Sequence, residues 1–75
     1  MKTNEGEILR TKRKALGYTL KQVADMAGIA MRQYQRFEGN ERDFSSSSAK
    51  VYLSICKVLE IDPYQFMAIA RQNND

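Results

Sequence analysis

Three residues, Gly28-Ile29-Ala30, separate two segments that each carry the spacing of a short helix. The first opens with Thr19-Leu20-Lys21-Gln22, the S/T-x-x-E/Q pattern of a capping box. The second runs from about Met31 to Glu38. Gly28 can take a positive φ without steric cost, and Ile29 offers the turn an apolar side chain. So short a connection makes the helices cross steeply and leaves the second standing out from the bundle. Any fold for this chain has to accommodate that corner.

The remaining segments are also helical in period, and no run alternates apolar and polar residues long enough for a strand. A first helix is expected from about Glu5 to Leu16, with Asn4 as cap and Glu7 as its capping-box partner. Leu9, Arg13 and Leu16 share its inner face, with Ile8 beside them, and Gly17 ends it. The second helix turns Val23, Ala24 and Ala27 inward, and the third Tyr34 and Phe37. Gly39-Asn40 closes the third. A loop through Ser45-Ser46-Ser47-Ser48 then caps a fourth helix, about Ala49 to Leu59, whose stripe is Tyr52, Ile55, Cys56 and Leu59. Asp62-Pro63-Tyr64-Gln65 opens a fifth, with Asp as cap, Pro at the first position and Phe66, Met67 and Ala70 facing the bundle. Met67 and the aromatic residues are assigned to the core. The expected fold is all-α, a compact five-helix bundle with a helix-turn-helix, in one domain spanning 1–75.

Charge points to a partner. The net charge is +3, and it is unevenly spread: residues 1–42 hold nine Lys/Arg against five Asp/Glu, residues 43–75 three against four. A basic half suits a polyanion, most often nucleic acid. Catalysis has little to work with. There is no histidine, the one cysteine has no base to pair with, and no glycine-rich loop cradles a phosphate. No metal, cofactor or small-molecule ligand is expected. Cys56 can form no internal disulfide and reads as a buried, inert thiol suited to a reducing compartment. With no apolar run of membrane-span length and no signal-peptide pattern, a cytoplasmic location is expected.

With Tyr34 and Phe37 turned inward, Arg32, Gln33 and Arg36 face solvent, and Met31 leads the helix. A protruding helix fits the major groove of B-DNA, about 12 Å wide. Arg bonds guanine O6 and N7 together, Gln bonds adenine N6 and N7, and Met can touch a thymine methyl.

The run Arg10-Thr-Lys-Arg-Lys-Ala-Leu-Gly17-Tyr-Thr-Leu-Lys-Gln-Val-Ala24, then Ala27-Gly28-Ile29, then Arg36-Phe37-Glu38, resembles the lambda-repressor-like (Cro/repressor, xenobiotic-response-element type) helix-turn-helix family. Ile55-Cys-Lys-Val-Leu59-Glu-Ile61-Asp62 is similar to the family's fourth helix and its exit. The resemblance implies an internal ion pair between Arg13 and Glu38. It places Met31, Arg32 and Arg36 at base-reading positions, with Gln33 between them. Thr19, Leu20 and Lys21 match the helix start that abuts a phosphate, and Asn40, Arg42 and the serines match a second phosphate-contacting stretch. The implied activity is sequence-specific binding of double-stranded DNA by a transcriptional regulator, a repressor in kind. A palindromic site calls for a homodimer, and helix 5 (Tyr64, Phe66 and Ile69) is the candidate surface, with plain core packing as the alternative. The chain departs from the family in four places. Leu20 replaces a common Gln, Ala30 a capping Ser or Thr, Lys12 an often apolar residue, and the loop from Gly39 to Ser48 is longer than usual. The rival reading keeps the same fold for protein–protein or antitoxin-like partner binding, because fold does not settle function.

Overall fold

Thr19, Ser48 and Asp62 each turn a side-chain oxygen onto the first free N–H groups of a helix, and these caps set the element boundaries. The computed structural model describes residues 5–72, with side chains through 68. Its elements are α1 (Glu5–Ala15), α2 (Leu20–Ala27), α3 (Met31–Glu38), a 3-10 turn (Phe44–Ser46), α4 (Ala49–Val58) and α5 (Pro63–Gln72). No strand occurs among the described residues. The all-α five-helix bundle is therefore as expected. The proposed Asn4 cap lies outside the described residues, as do the side chains of Ile69 and Ala70.

The first four helices end alike. A single residue after each is left-handed: Gly17, Gly28, Asn40 and Glu60, at φ 78, 74, 60 and 57°. The N–H of the next residue reaches back to close the last turn, Tyr18 to Arg13, Ile29 to Ala24, Glu41 to Arg36 and Ile61 to Cys56, at 2.8–3.1 Å. This Schellman closure satisfies the final carbonyls and turns the chain sharply. At Gly28 it makes the corner between α2 and α3 without a side-chain penalty.

α2 packs on both α3 and α4, and α1 packs on α3. Leu9, Val23, Ala24, Tyr34, Phe37, Tyr52, Ile55, Cys56 and Leu59 form the core that the helical spacing called for. Cys56 is 1% exposed, and burial pushes its thiol pKa up. Phe44 joins that core with the other aromatics, although no helical stripe places it there. It is fully buried, its ring 4.8 Å from Tyr52, 5.1 Å from Phe66 and 5.5 Å from Phe37. What reads as a long loop thus folds a 3-10 turn around one aromatic anchor, which fastens α3, α4 and α5 together.

α5 buries a narrower stripe than its sequence suggests. Phe66 is 2% exposed, a core residue, and so is corrected from the candidate dimer face. Met67 is 40% and Tyr64 85% exposed, so neither belongs to the core. The Tyr52 hydroxyl donates to the Pro63 carbonyl at 2.6 Å and ties the start of α5 to α4. That tie, with the Asp62 cap, sets the rotation of α5 and leaves Tyr64 and Met67 outward.

Two outcomes are expected in thermal unfolding. Phe44→Ala removes a large ring from a filled site and should cost about 3–5 kcal/mol. Glu60→Gly relieves a left-handed non-glycine residue and should raise stability by up to about 1 kcal/mol. Unchanged melting of the first variant would remove Phe44 from the core, and destabilisation by the second would contradict its left-handed backbone.

Candidate nucleic-acid interface

Tyr34 and Phe37 seat α3 on the core, and its other side is open. Met31, Arg32, Gln33, Gln35 and Arg36 are all exposed. Ala30 begins the helix with no side-chain cap, consistent with its lack of an oxygen.

α3 is held from beneath by an ion pair. Arg13 of α1 donates Nε to Glu38 Oε2 at 2.6 Å and Nη2 to Oε1 at 3.1 Å, and Nη1 to the Tyr18 carbonyl at 3.0 Å. The two side chains are 12% and 7% exposed. Hydrogen bonding to Glu38 raises the Arg13 pKa above its ordinary value. The Tyr34 hydroxyl is buried beside them without meeting hydrogen-bond geometry. Burial first, then the Glu38 carboxylate, pushes the Tyr34 pKa up. The expected Arg13–Glu38 contact is thus made.

A groove of about 700 Å³ runs between α3 and the segment that follows it. Arg32, Gln33 and Arg36 line one side, and Arg42, Asp43 and Ser46–Ser48 the other. Arg42 is brought there by its backbone. The Arg36 carbonyl accepts the N–H groups of Glu41 and Arg42 at 2.9 and 3.3 Å. Among the described residues, no ion pair engages Arg32, Arg36 or Arg42. Three guanidinium groups against one carboxylate, Asp43, leave this open groove net positive and attract an extended anion.

The other sequence-assigned residues lie apart from the groove. Met31 is exposed at the leading end of α3 but does not line it. At the start of α2, Thr19 accepts the Gln22 N–H at 3.1 Å, and Gln22 Oε1 accepts the Thr19 N–H at 2.8 Å. The cap leaves Leu20 and Lys21 as first-turn N–H donors without intrahelical acceptors. Lys21 makes an exposed pair with Asp25 at 3.0 Å, a contact worth little and easily exchanged. Asn40 faces α1: its Oδ1 accepts the Gly6 N–H at 3.1 Å, and it lines a second hollow with Arg10 and Lys14. Asp43, the acidic member of the groove, was not singled out from the sequence. An acidic residue in a polar run carries no periodic signal.

A family model described as helix-turn-helix matches residues 9–66. The chain belongs to the helix-turn-helix family, of the Cro/C1 type. No curated protein matches it. Helix-turn-helix proteins of this family are DNA-binding regulators, and the family is in general not an enzymatic one. The match begins at Leu9 and ends at Phe66, so it takes in the corner, α3 and the aromatic core, but not the first turn of α1. No helix among the described residues is long and apolar enough to cross a membrane.

Glu38→Ala strands the Arg13 guanidinium in a partly closed site, and should lower stability by about 3–5 kcal/mol. Differential scanning calorimetry reads this directly. A melting temperature equal to the parent's would show that the pair does not hold α1 to α3.

Proposed function

We propose that the chain is a sequence-specific transcriptional regulator, a repressor, that seats α3 in the major groove of double-stranded DNA. The observation that carries this is the trio Arg32, Arg36 and Arg42 around one groove, with no carboxylate paired to any of them among the described residues. Arg32 and Arg36 take guanine edges, Gln33 an adenine, and Met31 a thymine methyl. Arg42 and Asn40 on one side, and the start of α2 (Thr19, Leu20, Lys21) on the other, take the flanking phosphates. Phosphate contacts of this kind set the register, and the base contacts set the sequence.

A repressor needs only to occupy its site, which a groove-seated helix does unaided. Two copies joined through α5, where Tyr64 stands exposed, suit a palindromic site with half-sites about 34 Å apart. The protein works beside the chromosome in the cytoplasm, a reducing setting that its buried thiol suits.

Selection from random duplex DNA at two salt concentrations tests this. One preferred site should emerge, bound more weakly as salt rises. Arg36→Ala should then cost about 1–3 kcal/mol at that site and relax preference at one base position, while Arg42→Ala should weaken all sequences alike and flatten the salt slope by about one. Failure to retain any duplex at low salt, with tight capture by a protein partner, would favour the partner-binding reading. Equal loss across all sequences for Arg36→Ala would remove it from base reading.

A further inference from the structure

Glu38 and Glu5 are the two buried charged residues among those described. Glu38 has Arg13. Glu5, 8% exposed, makes no ion pair among the described residues. Its Oε1 instead accepts the N–H of Phe44 at 3.1 Å and of Ser45 at 3.4 Å. A buried carboxylate is costly unless it is hydrogen-bonded, and bonds to a charged acceptor are about twice as strong as neutral ones. Here, through those bonds, Glu5 holds a stretch of backbone in place.

What it holds is the groove's second wall. Gly6, next to Glu5, donates its N–H to Asn40 Oδ1 at 3.1 Å. Gly6 also lets α3 approach: a Cβ there would sit 2.1 Å from the Glu38 carbonyl oxygen. The opening of α1 therefore grips the connecting segment at Asn40 and again at Phe44 and Ser45. Between the two grips lie only Glu41, Arg42 and Asp43, all exposed. The Arg36 carbonyl ties the middle, and the Phe44 ring is locked among aromatics. A segment fastened in this way has little freedom left to lose when a ligand arrives.

We infer that Glu5 is a positioning residue for DNA binding, acting through the Phe44 and Ser45 amides to hold Arg42 beside Arg32 and Arg36. The inference rests on reading the groove as the DNA interface. It adds that affinity depends on a carboxylate that makes no contact with the duplex.

The test combines backbone 15N relaxation of the free protein with a double-mutant cycle on the selected duplex. In Glu5→Ala, order parameters of residues 41–43 should fall from about 0.85 toward 0.6, with the helices unchanged. Duplex binding should weaken by up to about tenfold, the cost of ordering one long side chain. That loss should vanish when Arg42 is already alanine. Glu5→Gln keeps an acceptor oxygen at the same reach but without the charge, and should restore order and affinity in part. If Glu5→Ala does not fold, Glu5→Asp, which withdraws the carboxylate by one methylene, should show the same losses. Unchanged order parameters, or an affinity loss undiminished in the Arg42→Ala background, would overturn the role of Glu5 alone. A parent protein that retains no duplex at low salt would sink the interface reading, and the DNA role of Glu5 with it.

Discussion

Glu38 joins two halves of the molecule in two ways. Its carboxylate takes the Arg13 guanidinium in a two-pronged contact, while its carbonyl oxygen lies against the Cα of Gly6. One residue at the end of α3 thus meets α1 at two different turns. Planar guanidinium geometry fixes the angle as well as the distance, which a lysine would not do. The side of α3 opposite this contact is the exposed one. The helix that carries Arg32 and Arg36 is accordingly aimed by a bond made on its far side. An ion pair with side chains only 12% and 7% exposed is valuable here less for net stability than for a single arrangement of α1 against α3.

The aromatic cluster does the corresponding work for the other wall. Phe44 contributes nothing to a helical stripe, yet it touches rings from α3, α4 and α5. Without it, the residues from Gly39 to Ser48 would be a loop of ordinary freedom. With it, they are a short bridge between Asn40 and a filled core position. Local geometry at Arg42 is therefore inherited from packing two residues downstream and from hydrogen bonds to α1.

Much of this was legible in the chain. The capping box at Thr19, the left-handed closure at Gly28, and the cap at Asp62 announce themselves because local hydrogen bonding decides them. Tyr34 and Phe37, three apart, show which side of α3 must face out. Other features were not legible, for identifiable reasons. The sequence assigns Phe44 to the core only as one of the aromatics; which rings it meets depends on partners from Phe37 to Phe66 and has no period to reveal it. The buried Glu5 and the close approach at Gly6 depend on residues more than thirty positions away. The outward turn of Met67 follows from the Tyr52–Pro63 hydrogen bond, which no helical wheel contains. Within the groove set, α3 was readable from amphipathicity, whereas its convergence with Arg42 arises from the Arg36 carbonyl.

The buried cysteine has a consequence beyond packing. Thiols are oxidised as thiolates and only when reached by the oxidant, and Cys56 is denied both by its 1% exposure and its raised pKa. Peroxide can therefore act on it only in the moments when α4 comes away from its neighbours. The lifetime of that thiol in oxidising solution follows the small fraction of time in which the centre of the bundle stands open.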